Sequence, residues 1–379
     1  MKKSLALIFA ASSALLFAKP ANKTLVGIGL DPIENPVTID KNGLHQDTDN
    51  QFGGTYLWGD IIQGNDYVTA AGKIYYRLNS VSKDEEEQQK IDIKRAYIKV
   101  RPAGKDIFEI AAGKLYSYYL PGGYFALAEI YTGNSRWGKT GLGTKFDYKG
   151  FGGGLALPVT ESYTSFKDSL SPAAALTYNF KNLTEALPLE LGFSAFQDFV
   201  NDEFSFGASA LYSPNWTGFI SKVKIFTAYS YNAAPYVANS TFKNVSNYNQ
   251  AELQKCHLAS INISFNLGKV EITEEAEAGH SKEGDYIPLY SGTQLLIPIV
   301  EHLAFKPRFF YYAALNEKDS DLSRQTFALY PRLWLTFGKC TVSAGSIITC
   351  MQCGTDKKDK SLSDWYWGYE VPLYATWKF

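Results

Sequence analysis

The residues that could carry out covalent or metal chemistry are few and lie far apart in the sequence. The four histidines, His45, His257, His280 and His302, form no H-E-x-x-H pair, so the ligand spacing of a zinc hydrolase is missing. The sequence also contains no G-x-S-x-G nucleophile elbow and no phosphate-binding P-loop. We therefore expect no enzyme activity, no cofactor and no metal site.

The cysteines likewise give no indication of catalytic chemistry. Cys350 and Cys353 form a C-x-x-C pair, which in a redox enzyme begins a helix after a strand. Here the pair lies between a predicted strand and a polar loop. We interpret it as a local loop disulfide or as two thiols without a catalytic role.

Charged side chains, in contrast, recur at a two-residue spacing, which places them on one face of a β-strand. In Lys269–His280 the apolar residues Val270 and Ile272 alternate with acidic residues, and Tyr67–Leu78 alternates in the same way. The candidate lining residues on such polar faces are Lys73, Arg77, Glu271, Glu275, Glu277, Lys306, Arg308 and Arg332. Because both signs are present, they predict either a wet, unselective lumen or a transverse field that biases ion passage.

The segments that carry these side chains are long. The alternation gives apolar faces of about 9–13 residues in four segments, namely Tyr67–Leu78, Lys269–His280, Arg324–Phe337 and Trp365–Phe379. A strand of a soluble protein has about 5–6 residues, whereas a tilted strand that crosses a membrane has about 9–11. Aromatic residues make up 15% of the chain and glycine numbers 31, a composition typical of a large all-β protein.

With 37 basic against 38 acidic residues, the chain lacks the basic excess that a nucleic-acid partner requires.

Connections between the predicted strands alternate in length. Short links such as Lys149–Gly150 take turns with long ones such as Asn232–Lys255, although Val200–Asp202 is short where a long loop is expected. Tight turns on one rim and long loops on the other are typical of an outer-membrane barrel. We therefore predict an all-β, transmembrane, up-and-down antiparallel β-barrel with short periplasmic turns and long extracellular loops. It has about 18 strands, or 16 if Thr24–Asp31 and Thr55–Ile62 are not strands.

The first residues, 1–18, predict a signal peptide. Lys2 and Lys3 precede an apolar stretch from Leu5 to Phe17, which is too short to span a bilayer, and Ala18 suits the cleavage position. We therefore expect one barrel domain over residues 19–379, in the bacterial outer membrane and in contact with its lipid.

The C-terminal strand carries the first family likeness. Val371, Leu373, Trp377 and the terminal Phe379 share one phase. This resembles the C-terminal assembly signal of Gram-negative outer-membrane porins, both general and substrate-selective. The resemblance implies that Trp377 and Phe379 are recognised by the barrel assembly machinery. Such porins are commonly trimers, so it also suggests a homotrimer.

The segment Ser117–Lys139 carries the second likeness. It is a long predicted loop, yet it is rich in apolar residues such as Leu120 and Phe125. Its position, third among the long loops, resembles the constriction loop that folds into the lumen of general porins. Glu129 would then be the acidic residue of the constriction.

These observations predict a porin, a water-filled channel for passive diffusion of small hydrophilic solutes or ions. Two alternatives remain open. In the first, Lys19–Gly54 plugs the lumen of a gated or specific transporter instead of supplying a strand. In the second, the loops of a surface adhesin bind a host or matrix.

Overall fold

In a computed structural model of the chain, the described residues are 23–30, 34–35, 37–40, 43–46, 55–78, 89–103, 107–115, 140–158, 172–198, 203–233, 235, 255–281, 285–318, 323–352 and 365–378. The predicted signal peptide, Glu129 and its segment 117–139, Cys353 and Phe379 lie outside them. Within the described residues, no helix is long and apolar enough to cross a bilayer.

The described strands form one closed antiparallel barrel of 18 strands, which confirms the predicted fold class. The strands are β1 (Lys23–Leu30), β2 (Thr55–Gly64), β3 (Val68–Leu78), β4 (Gln89–Val100), β5 (Phe108–Lys114), β6 (Thr140–Tyr148), β7 (Phe151–Pro158), β8 (Ala173–Asn179), β9 (Leu189–Asp198), β10 (Glu203–Tyr212), β11 (Ile220–Ala233), β12 (Cys256–Leu267), β13 (Val270–Ser281), β14 (Tyr286–Val300), β15 (Leu303–Phe305 and Arg308–Asn316), β16 (Arg324–Tyr330 and Arg332–Phe337), β17 (Cys340–Gly345 and Ile347–Gln352) and β18 (Trp365–Glu370 and Leu373–Lys378). Within the first long loop, Glu34–Asn35 pairs with β18, and Val37–Asp40 pairs with Gly43–Gln46.

The barrel closes where β1 pairs with both β2 and β18, for example with Val26 opposite Gly59 and Trp377. Closure is required in a membrane because an unpaired strand edge would leave backbone N–H and C=O groups without partners in hydrocarbon. The two weakest predicted strands are both present, as Lys23–Leu30 and Thr55–Gly64. The count of 18 is therefore correct and the alternative of 16 is wrong.

The two rims differ as the sequence predicted. On one rim the turns are short, and at Lys149–Gly150 both residues have positive φ (48° and 89°), as in the two-residue turns that match the twist of a hairpin. The other rim carries the long loops, and the short connection between Asp198 and Glu203 remains the exception. Both ends of the described chain, Lys23 and Lys378, lie on the short-turn rim.

At the long-loop rim, polar contacts join neighbouring loops beyond the strand ends. His280 Nε2 lies 3.3 Å from Glu317 Oε2, and Lys318 Nζ lies 2.6 Å from Asp285 Oδ2. The hydrogen bond to Asp285 raises the pKa of Lys318. These contacts connect the ends of β13, β14 and β15.

Alternation along the strands separates an apolar outer wall from a more polar inner wall. Large apolar side chains of the outer wall are exposed, among them Ile74, Leu155, Leu176, Phe327 and Leu335. In solution this much exposed apolar area would be unfavourable, whereas facing lipid it costs nothing.

The inner wall has two buried apolar regions. One is aromatic and includes Phe226, Tyr290, Phe310 and Tyr312. The other, on β5 to β8, consists of small residues, and we call it the smooth wall: Ala111, Gly141, Gly143, Gly152, Gly154, Ala156, Ala173 and Ala175. All of these residues are buried.

Candidate pore wall

Most of the predicted lining residues occupy inward positions. Lys73 lies on β3 and pairs with Asp60 and Arg95, one position along from the outward-facing Ile74. The other inward residues are Glu271, Glu275, Glu277, Lys306, Arg308 and Arg332. Arg77 pairs with Tyr56 and Lys90 in the backbone, but its side chain, like Glu129, is outside the described part.

Three of these side chains, Lys306, Arg308 and Arg332, form a group that we call the basic cluster. The backbone N–H of Lys306 donates to the carbonyl of Arg332 at 2.7 Å, which brings β15 and β16 together beside the cluster. Each of the three side chains is partly exposed on the inner wall.

Neutral groups hold the basic cluster in place. Lys306 Nζ lies 4.5 Å from the centre of the Trp334 ring, and Arg332 lies over the rings of Tyr330 and Tyr374 at 5.7 and 5.4 Å. Arg308 Nε donates to Gln294 Oε1 at 2.5 Å. Aromatic faces and amides orient cations without neutralising them. No carboxylate among the described residues forms an ion pair with the cluster, although Glu271 and Glu275 act electrostatically on Lys306 and Arg308 from a longer distance. Much of the positive charge of the cluster therefore remains available to an anion.

The acidic residues of β13 are mostly shielded. Glu275 and Glu277 are only 2% and 6% exposed. Asn262 and Tyr290 donate to the carboxylate of Glu275 at 2.9 and 3.2 Å, and Ser260 donates to Glu277 at 3.3 Å. Of the predicted acidic ladder, Glu271 alone is exposed.

A second basic region follows β3 and β4 but carries its own counter-charges. Buried Glu109 lies 2.9 Å from Lys99 and 3.1 Å from Arg101, and Arg95 forms an ion pair with buried Asp60. These carboxylates cancel part of the positive charge, so this region presents less field to the lumen than the basic cluster does.

Sequence reasoning missed this second region because β4 changes phase. Ile91 and Ile93 face outward, yet beyond them Ile98 and Val100 also face outward, an odd-to-even switch. A bulge in the pairing with β3, between Lys73 and Ile74, absorbs the extra residue. The signal in the sequence is three cations of one phase, Arg95, Lys99 and Arg101, with Tyr97 between the first two.

Trp377, half of the predicted assembly signal, faces outward and is 39% exposed beside the seam between β1 and β18. Cys350 faces outward opposite Phe327 and Trp367, and it forms no disulfide with another described cysteine. Pairing with Cys353 stays a prediction because that residue is outside the described part.

No family model matches the chain, and no curated protein matches it. Several solved structures, in contrast, match the fold of the chain. The Pseudomonas aeruginosa outer membrane protein OpdK has a TM-score of 0.56 at 11% identity, covering 94% of this chain and 98% of its own. Acinetobacter baumannii OccAB4 has a TM-score of 0.58 at 9% identity, with coverage of 94% and 98%. Pseudomonas aeruginosa OprD has a TM-score of 0.53 at 10% identity, with coverage of 97% and 98%. The fold of this chain is that of the Gram-negative outer-membrane β-barrel porins.

Proposed function

We propose that this chain forms a water-filled channel through the bacterial outer membrane, in which small hydrophilic solutes diffuse passively and anions are favoured over cations. The observation that carries the proposal is the contrast on the inner wall. Lys306, Arg308 and Arg332 are partly exposed and held by neutral groups, whereas Glu275 and Glu277 are buried.

The barrel size supports an aqueous lumen. An 8-stranded barrel is filled by its own side chains, while barrels of about 16–18 strands leave room for water. Cations on an inner wall without carboxylate partners need water or a passing anion, because burial of an unpaired charge in a dry interior is strongly unfavourable. The basic cluster therefore favours a hydrated passage over a packed core.

A constriction by the segment Ser117–Lys139 is part of the proposal. The segment follows β5, and the smooth wall extends from β5 to β8. Glycine and alanine project little into a lumen, so this wall offers space for an apolar segment with Leu120 and Phe125. Ala156 and Ala173, at 0% and 2% exposure, belong to an apolar cluster with Leu115 against which Tyr97 and Phe196 pack, so this part of the inner wall suits contact with an apolar segment.

The two alternative functions, a plugged transporter and a surface adhesin, are less well supported than a channel. A plug made from all of Lys19–Gly54 is wrong in that form, because Lys23–Leu30 is the wall strand that closes the barrel. An adhesive role draws no support from the described residues, which lie mainly in the barrel wall. The channel therefore remains the function that the geometry supports best.

Reconstitution tests the channel directly. Purified mature protein in a planar bilayer should give stepwise ion conductance, and a salt gradient should give a reversal potential of the sign for anion preference. The same preparation denatured before addition is the control. Silence under conditions where the folded barrel inserts would contradict the proposal.

Recognition by the barrel assembly machinery also stays a proposal, resting on Trp377 and Phe379. The variant Trp377→Ala, or removal of Phe379, should lower the amount of folded barrel in outer membranes several-fold, because the machinery is expected to bind this strand. Folded protein is measured by the heat-dependent shift in electrophoretic mobility. Trp216→Ala, which changes a 52% exposed tryptophan in the turn before β11, is the matched control and should have no effect. Equal losses for both variants would argue against a specific signal.

A further inference from the structure

The short-turn rim carries two lysines on neighbouring turns. Lys149 lies in the two-residue turn between β6 and β7, and Lys181 lies in the short helical turn between β8 and β9. The backbone N–H of Asn179 donates to the carbonyl of Gly150 at 2.8 Å. A Cβ on Gly150 would lie only 2.8 Å from Asn182 Nδ2, so the two turns are in direct contact. The fold therefore brings both lysines to one place on the rim.

Aromatic side chains lie next to these turns on the outer wall. Phe151 is opposite both Tyr148 and Tyr178 in the register of β6, β7 and β8. It precedes Gly152 of the smooth wall, so these rings lie on the outer face. The centre of the Tyr178 ring lies 4.4 Å from that of Phe151 and 4.8 Å from that of Phe180. Aromatic rings at the end of membrane strands mark the level of the lipid headgroups.

Both lysines keep their positive charge available at this level. Lys149 Nζ lies 5.2 Å from the centre of the Tyr148 ring, which is outward and 55% exposed, so this ammonium group is on the lipid side of its turn. An aromatic face orients a cation without neutralising it. Lys181 is exposed, and neither lysine forms an ion pair with a described carboxylate.

The acidic residues of these strands and turns reduce this charge only in part. Asp147 is opposite Gly152 and Glu190 is opposite Asn179, and these positions have the inward phase. Their carboxylates therefore face the lumen side of the wall. Glu185, in the connection after Lys181, is exposed and adds one negative charge. The outward side of the two turns thus has an excess of positive charge.

The outer wall above the turns suits acyl chains. Phe146, Leu155 and Leu176 are 40%, 60% and 57% exposed and lie on the same three strands, toward the middle of the membrane. These large apolar side chains project from the wall, and lipid tails can adapt to such a surface. Charge at the rim and apolar surface above it match the two ends of one phospholipid.

We propose that these two turns form a binding site for an anionic phospholipid, whose phosphate contacts both Lys149 and Lys181. We call the site the rim patch, and its residues are Tyr148, Lys149, Phe151, Tyr178, Phe180 and Lys181. Basic side chains beside a membrane surface attract anionic headgroups, and two of them on adjoining turns can act on one phosphate. The proposal requires the transmembrane barrel with its short turns in the periplasmic leaflet, and it does not depend on channel activity.

Fluorescence quenching in reconstituted vesicles tests the site. In a background with all four cysteines replaced by alanine, Leu183→Cys, 71% exposed in the connection after Lys181, carries a bimane label. Phosphatidylglycerol with a nitroxide near its headgroup should quench this label at a mole fraction about fivefold lower than the matching phosphatidylcholine does. A label at Gln63→Cys, exposed on the outer wall beside the acidic turn residue Asp66, should show no preference. Equal quenching by both lipids at Leu183→Cys, or none by either because another chain covers the patch, would overturn the proposal.

Substitutions of the lysines test their role in the preference. Lys149→Gln with Lys181→Gln should remove it, whereas Lys149→Arg with Lys181→Arg should keep it. Lys224→Gln with Lys339→Gln is the matched control, because it removes the same charge from the inner wall, two positions from Phe226, and from the turn between β16 and β17. The control should keep the full preference, and each variant must show the heat-dependent mobility shift of a folded barrel. A preference that survives the loss of Lys149 and Lys181, or that falls equally in the control, would show that these lysines form no site.

Discussion

Removing Leu120–Ile130 from the long connection after β5 should raise single-channel conductance roughly two- to threefold, because the narrowest part of the lumen then widens toward the bare barrel. The expected gain rests on the proposal that this segment lies against the smooth wall, whose small apolar residues, Ala156, Ala173 and Ala175 among them, leave room for it in the lumen. Recordings in planar bilayers at fixed salt measure the change in conductance per insertion step.

The matched control removes the same number of residues, Asn239–Asn249, from the polar connection between β11 and β12. That variant should conduct as the unchanged chain does. Both deletions must show the heat-dependent mobility shift of a folded barrel, so that loss of conductance from misfolding is recognised. Unchanged conductance in a folded Leu120–Ile130 deletion would show that the segment does not constrict the pore.

Much of the fold could be predicted from the sequence because a membrane barrel imposes simple rules on each strand. The two-residue period in Lys269–His280 places Glu271, Glu275 and Glu277 on one face, and the structure has all three inward. The alternation of connection lengths likewise gives the correct parity and the count of 18. Both signals are local, so one sequence is enough to detect them.

The candidate site was harder to predict, for two physical reasons. Periodicity tells which face a side chain occupies but not what covers it, so the burial of Glu275 and Glu277 beside Asn262 and Tyr290 could not be foreseen. A bulge also shifts the phase of the alternation within β4, so the phase of Ile91 and Ile93 does not place Arg95 and Lys99 on the inner wall.

Replacing Lys306, Arg308 and Arg332 together by glutamine should lower the anion-to-cation permeability ratio roughly 25-fold. One charge acting on an ion about 6 Å away in water contributes about 0.7 kcal/mol, and three contribute about 2 kcal/mol. Screening at physiological salt, with a Debye length of about 8 Å, leaves about 1 kcal/mol, which attracts an anion and repels a cation. The ratio therefore changes by about 2 kcal/mol, which corresponds to a factor of roughly 25. The reversal potential across a salt gradient measures this ratio.

A control variant separates the effect of where the positive charges lie from the effect of the total charge. Replacing Lys149, Lys269 and Lys339 by glutamine removes the same charge from exposed turns at the short-turn rim, outside the barrel strands, and should change the ratio far less. Glu271→Gln should shift the reversal potential in the opposite direction to the basic-cluster variant, since Glu271 is the exposed acid of β13. The cluster can act in this way because Trp334, Gln294 and Tyr374 fix its cations without cancelling them. If the two triple variants shifted the potential equally, net charge alone would govern selectivity and the basic cluster would have no special part in it.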